Sequence, residues 1–561
     1  MPLEDFIELP DTASFIIRYT PLAANYITEH PNIHLGKVLV GGYAIIYVQR
    51  DQLRTVMEEL GPWNASLVLG LLSQFDLESS GITQVQQQPY LSLLGDGVLL
   101  AFIDTGIDYT KEAFQHNDGT SKIQYIWDQT IRGNAPEDFP FGTEYTNAQI
   151  NEALRSPDPL LVVPHEDTDG HGTFLASVAA SHEEGMYRGA APNADLIVVK
   201  LKKASPFYLE QYLILPEQQN AYETSDLMLG IEYALEKAIE LDRPIAICIA
   251  LGTNLGGHDG FNIIEHYLSR ISYITGVALC IAAGNESSTR HHTQGVITQT
   301  GETKNIEIRN GSSDRDIYIN LWNNVSSRLS VSVKSPTGEV VGRVPARSGT
   351  TLESRLILER STVVVQYLFP VEGSGAQSTV IKILNPTPGI WTLTLYGDII
   401  LEGTYNIWLP LTGFADPQVE FLAAVPDCTI TVPATALGPI TCGAYNSRNN
   451  SLYISSSWGP TRRPTMAPDF VAPGVDVGGI YPRGYGEMSG TGVATAITAG
   501  AAALLLQWGI VEGNNRLVNT NLIKSLLISG CDRDPDVQYP SVQWGYGRMN
   551  LLNSFESLRT T

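Results

Sequence analysis

Basic residues are scarce in this chain: 35 Lys and Arg stand against 59 Asp and Glu over 561 residues, for a net charge of −24. Phosphate neutralisation needs clustered Lys and Arg, and none occurs, so nucleic-acid binding is excluded. Cysteine is also scarce. The five present, Cys248, Cys280, Cys428, Cys442 and Cys531, are odd in number, lack metal-type CxxC spacing and mostly sit in apolar runs such as IAICIALG. Buried thiols are therefore expected rather than a disulfide scaffold. Uninterrupted apolar runs of roughly 18 residues, the length a membrane span requires, are missing. The stretch MPLEDFIELP has neither the basic region nor the apolar region of a secretion signal, so the expectation is a protein made in the cytoplasm. The acidic DRDPD at Asp532 to Asp536 lacks an ordered calcium-loop pattern and reads as a solvated turn. No metal and no cofactor are expected.

What is present is the composition of a folded protein, 43% hydrophobic and 17% charged, on a chain too long for a single core. Residues 1–95 read as a small α+β unit. ASFIIRYT predicts a strand, KVLVGGYAIIYV a glycine-interrupted pair of strands, and QLRTVMEEL a short amphipathic helix ending before Gly61-Pro62. SLVLGLLSQF reads as a further helix, and the polar ITQVQQQPYLSLLGDG as a linker. From Gly97 strands and helices alternate: GVLLAFIDTGID, GTFLASVAA, ADLIVVKLK, SDLMLGIEYALEKAIEL, PIAICIALG, IIEHYLSRISYI, GVALCIAAGN. Apolar strands followed by amphipathic helices predict an α/β fold, a parallel sheet with helices on both faces. Sites in such sheets lie at the carboxyl ends of the strands.

Between His291 and Pro426 the helical period disappears. KNIEIRNG, DIYINLW, RLSVSVKSPTGEVVG, TVVVQYLF, TVIKILN, WTLTLYG and YNIWL are separated by Pro, Gly, Asn and Asp turns, an all-β sandwich pattern. The α/β pattern resumes near Thr429. The domain reading is thus 1–95, 96–290, 291–426 for the β insertion, and 427–561 for the remainder of the α/β unit.

Two polar residues fall where apolar strands give way to turns, and a third precedes a helix-like run. Asp104 ends GVLLAFID and opens DTGID, His171 opens the helix in DTDGHGTFLASVAA, and Asn285 follows GVALCIAAG. Near the C-terminus MSGTGVATAITAGAAALLLQW reads as a glycine-rich turn feeding a helix apolar all round, hence buried.

These segments together resemble the subtilisin-like serine proteases. The family carries its aspartate in a DTG turn, its histidine in His-Gly-Thr, its oxyanion asparagine in AAGN, and its serine in a Gly-Thr-Ser helix entry. GAAPNADLIVVK, SSSWGPT and APDFVAPGV match further family segments. The resemblance implies Asp104 and His171 as the pair that would activate the nucleophile, Asn285 as an oxyanion donor, and Ala250, Leu251 and Gly252 as the strand edge on which substrate pairs. It also implies that residues 1–95 are a prodomain and residues 291–426 a jelly-roll insertion.

Gly490, Thr491, Ala494 and Gly500 fit the helix pattern, but Gly492 stands where the serine belongs and Ala496 where a proline is usual. Glycine offers no oxygen for His171 to deprotonate, although its backbone N–H retains half of the oxyanion hole. In subtilisin, loss of the serine costs roughly 10⁶ in turnover, about 8 kcal/mol. An uncut prodomain is expected to stay in the groove, with the stretch from Gln86 to Leu94 in or near it.

The short prodomain and the late β insertion resemble the clostridial Csp germination proteases, some of which are active and some pseudoproteases. That resemblance implies a non-catalytic regulator of spore germination, packaged in the spore, that binds a partner germination protease or a small germinant. The alternative is an endopeptidase processing a spore-cortex hydrolase precursor, its serine removed on purpose or its nucleophile elsewhere.

Overall fold

The computed structural model describes residues 2–60, 65–71, 78–182, 188–311 and 315–558. At its centre lies a sheet whose parallel strands run in the order Phe470–Pro473, Ile440–Asn446, Val277–Ala282, Ile245–Ile249, Leu99–Asp104, Asp195–Lys200, Ile123–Asp128, with Thr143–Thr146 antiparallel at one edge. The near-continuous apolar strands follow from burial on both faces. Leu99, Ala101 and Ile103 share a core with the helices Thr224–Glu240 and Ile263–Ile271. Leu100 and Phe102, alternating with them, pack toward the helices His171–Ala180 and Thr491–Leu506.

Every residue of Thr491–Leu506 is buried. Among the described residues only the stretch Thr491–Val511 is a helix long and apolar enough to cross a bilayer, and 89% of its apolar window is buried inside the fold. Its composition reflects a core position. All five cysteines are buried and unbridged, as their apolar contexts predict.

The N-terminal unit is a three-stranded antiparallel sheet, Thr12–Arg18, Tyr43–Gln49 and Ile33–Leu39 in that spatial order. It rests on Thr224–Glu240. Ser14 Oγ donates to Glu223 Oε2 (2.5 Å), the Val40 N–H to Glu232 Oε1 (2.8 Å), and Lys37 pairs with Glu236 (2.9 Å). Strands from His292 to Phe421 form a six-stranded and a five-stranded antiparallel sheet around a shared core that includes Trp391, Tyr367 and Leu395. At the seam with the parallel-sheet unit, the Trp408 ring lies between His258 (4.1 Å between centroids) and His292 (4.8 Å).

Two sequence expectations are corrected. SLVLGLLSQF, read as helical, contains the strand Val68–Leu71, because it pairs with strands on both sides; its Leu72 to Phe75 lie outside the described residues. The polar stretch read as a linker contains the helix Ile82–Gln87. Ile82 and Val85 are buried, and Gln86 Nε2 donates to the carbonyls of Gly189 (3.0 Å) and Ala190 (2.9 Å).

Candidate active site

Asp104 is the last residue of its strand and His171 the first of its helix. What joins them is the close approach of two backbones. A Cβ on Gly172 would lie 2.2 Å from the Gly106 carbonyl, so only glycine lets the helix N-terminus reach the DTG turn. The Gly172 N–H then donates to Thr105 Oγ1 (2.9 Å) and the Thr105 N–H to Asp104 Oδ1 (2.8 Å). Held in this way, His171 Nδ1 donates to Asp104 Oδ1 at 2.6 Å, with both side chains buried. Burial alone would depress the imidazole, but the charge and hydrogen bond of Asp104, aided by Asp169 and Asp167, leave its pKa raised from 6.5. His171 Nε2, the atom opposite the aspartate, is buried and has no partner.

Gly492 lies in the first turn of Thr491–Leu506, a helix that packs against the one opened by His171. The hydroxyl of the neighbouring Thr491 is already engaged. Thr491 is fully buried, and its Oγ1 accepts the Gly284 N–H (3.0 Å) and donates to Asn285 Oδ1 (3.3 Å). Ser489 lies before the helix, in the turn entering it. Asn285 Oδ1 also accepts the Thr491 N–H (3.0 Å). The acceptor end of the amide is thereby fixed, leaving Nδ2 as its donor end.

Leu251 and Gly252 form a short strand that pairs antiparallel with Leu71 and Gly70, following directly on Ala250. On its other side Val68–Leu71 pairs with Tyr222–Glu223, so the chain's own segment is the middle strand of three. Its entry is pinned: the Leu67 N–H donates to Thr224 Oγ1 (2.9 Å) and the Thr224 N–H to the Leu67 carbonyl (2.9 Å). This corrects the expectation for Gln86 to Leu94. Gln86 binds the Gly189 and Ala190 carbonyls, and the Leu94 N–H donates to Gln507 Oε1 (3.0 Å). With Gln86 and Leu94 held there, the edge is taken by Val68–Leu71.

A second buried pair lies outside the family motifs. His165 Nδ1 donates to Asp128 Oδ2 (2.6 Å), but here Nε2 is satisfied by the Ile107 N–H (3.1 Å), which anchors the loop after DTG. Its sequence signal is the strand IQYIWD, an apolar run ending in Asp like LLAFID. The two pairs differ in one respect: only His171 keeps an idle nitrogen.

The subtilase family model matches residues 95–313 and 424–547. The structure of the Clostridium perfringens CspB protease is similar over 86% of this chain and 98% of that one, at 30% identity and a TM-score of 0.77. Curated relatives align over shorter stretches: the Subtilisin-like protease SBT2.2 of Arabidopsis thaliana at 32% identity over 127 residues, 19% of this chain and 15% of that protein, and the Serine protease AprX of Bacillus subtilis at 33% over 147 residues, 22% and 31%. The alignments thus span under a third of these relatives' length. Motif order, parallel sheet and family match agree, and the chain belongs to the subtilase family, in the group of the Csp-type proteases.

Proposed function

We propose that this chain is a pseudoprotease: a Csp-type subtilase that has kept the means of holding a peptide but not of cutting it. The observation that carries this reading is the idle His171 Nε2 at a site where position 492 is glycine. His171 and Asp104 are the surviving base and its orienting carboxylate, and Asn285 with the Gly492 N–H the remnant oxyanion donors. Ala250 to Gly252 form the pairing edge, occupied by Val68–Leu71. The N-terminal unit then stays covalently attached as a resident strand.

On the Csp resemblance, the role is regulation of spore germination, through a partner protease or a small germinant, in a protein made in the cytoplasm and packaged in the spore. A second reading, endopeptidase activity, draws support from the intact Asp104–His171 pair at 2.6 Å.

A fluorophosphonate probe with intact-mass analysis separates the two. The expected result is an unlabelled, uncut chain, with labelling at residue 492 and release of an N-terminal fragment ending within residues 71 to 77 in Gly492→Ser. Labelling of the unaltered chain at another residue, or its spontaneous cleavage in the absence of other proteases, would overturn the pseudoprotease reading.

A further inference from the structure

Among the described residues, the six-stranded sheet of the β insertion ends in Thr351–Arg355, which pairs on one side with Thr362–Leu368 and on the other with no strand. Such edges are usually blunted by a bulge, a proline or a charge aimed inward. Ile33–Leu39 has a bulge between Leu35 and Lys37, and Val340–Val344 lies along one between Val331 and Val333. Thr351–Arg355 has neither bulge nor proline. Its register with Thr362–Leu368 is unbroken, and four of its five residues are exposed.

The direction of each backbone group follows from the hairpin. The Leu356 N–H donates to the Ser361 carbonyl (2.9 Å) and the Tyr367 N–H to the Thr350 carbonyl (3.2 Å). Even-numbered positions therefore bond to the neighbouring strand. By the alternation of an antiparallel ladder, Thr351, Glu353 and Arg355 direct their N–H and C=O groups toward the free side. Across the ladder Glu353 and Arg355 face the uncharged Val364 and Thr362, and among the described residues neither has an ion-pair partner in its own chain. Elsewhere in the insertion such charges are matched: Arg309 and Glu420, opposite one another on neighbouring strands, pair at 3.0 Å.

A second copy of the chain supplies the missing partners. Outward-facing groups meet only when odd positions oppose odd positions, so a two-fold antiparallel pairing is centred on a residue. Centring on Glu353 opposes two glutamates, centring on Arg355 opposes two arginines, and centring on Leu352 leaves both charges unmatched. Centring on Ser354 sets Glu353 of each copy against Arg355 of the other, and Ile357, which is 79% exposed, against Thr351.

We propose that this edge is the interface of a two-fold dimer, in which two copies join their β insertions through Thr351–Arg355 into one continuous sheet. The contact uses none of the residues of the peptide groove, and it holds whether or not position 492 supports catalysis. The same edge serves both copies, so assembly stops at two. Five residues a side make a small contact, and the dimer is therefore weak and populated by concentration.

Sedimentation velocity of the full-length protein over a concentration series is expected to show a monomer–dimer equilibrium. Glu353→Arg, or Arg355→Glu, sets like charges opposite one another at both pairs and is expected to weaken it about tenfold. Mixing these two variants is expected to restore the dimer, as is combining both changes in one chain, which a mere loss of fold would not allow. Ser354→Cys places two thiols on the axis, at a position where Cα atoms lie about 4.5 Å apart. Mild oxidation is expected to link two such chains, the five native cysteines being buried. A chain that is monomeric at every concentration, a dimer indifferent to Glu353→Arg, as one formed through another face would be, or Ser354→Cys chains that do not cross-link would each overturn the proposal.

Discussion

At the scale of single residues, the site is defined by one absent side chain among intact supports. In Gly492→Ser, cleavage of the N-terminal segment requires neutral His171, whose pKa stands above 6.5. The rate is therefore expected to rise with pH through that raised value and to fall below it, as measured by fragment release on gels. Adding Asp104→Asn is expected to lower the rate by about 10⁴, because the imidazole loses its orienting acceptor. A flat pH profile would point to another base. The sequence showed these residues clearly, since DTG, HGT and AAGN encode local turns. It did not show that Thr491 is committed to Gly284 and Asn285, because those partners lie some two hundred positions away.

At the scale of elements, the segment Val68–Leu71 illustrates why sequence period misleads. SLVLG carries no strict alternation, and its strand state comes from its neighbours Tyr222–Glu223 and Leu251–Gly252. Leu69, fully buried and opposite Tyr222, tests this pairing. Leu69→Pro removes a donor from the middle of a sheet, at a cost of about 1–3 kcal/mol. Proteolysis of residues 61–77 by thermolysin is expected to quicken about tenfold or more; an unchanged rate would deny the strand its role in docking.

The helix Ile263–Ile271 offers a second test. Its capping-box residue Glu265 is fully buried, accepts the Asn262 N–H (2.9 Å) and is pushed by burial, then by Asp259, to a pKa of about 8. The folded state thus holds a proton that the unfolded chain releases near pH 4.5. This contribution is complete below that pH and declines as the pH rises to about 8. Glu265→Gln is expected to flatten urea-melt midpoints across this window, and an unaltered slope would refute the assignment.

At the scale of the whole molecule, the β insertion and the parallel-sheet unit meet at stacked rings. Burial holds His292 at a pKa of about 4, against 6.5 ordinarily, and depresses His258 across the Trp408 ring as well. The folded state resists a proton that the unfolded chain takes up. Stability from this seam is full above pH 6.5 and lost as the pH falls toward 4. Calorimetry of His292→Phe is expected to show a shallower acid decline than the parent; an identical decline would place the sensitivity elsewhere. Alternating strands made the insertion legible from the sequence. The seam was not, because His258, His292 and Trp408 belong to segments that only the complete fold unites.

The docked strand also bears on solubility. Tyr222–Glu223 and Leu251–Gly252 would each, uncovered, present a row of unpaired N–H and C=O groups, the template on which foreign strands accumulate. In a cutting enzyme such exposure is the working state, relieved by turnover of substrate. On the proposed reading, in which this chain does not cut, Val68–Leu71 acts as a lasting edge guard, and a version lacking residues 1–71 is expected to sediment as aggregates where the full chain does not. The loss of one hydroxyl would thus convert a disposable segment into a part the protein needs to remain dispersed.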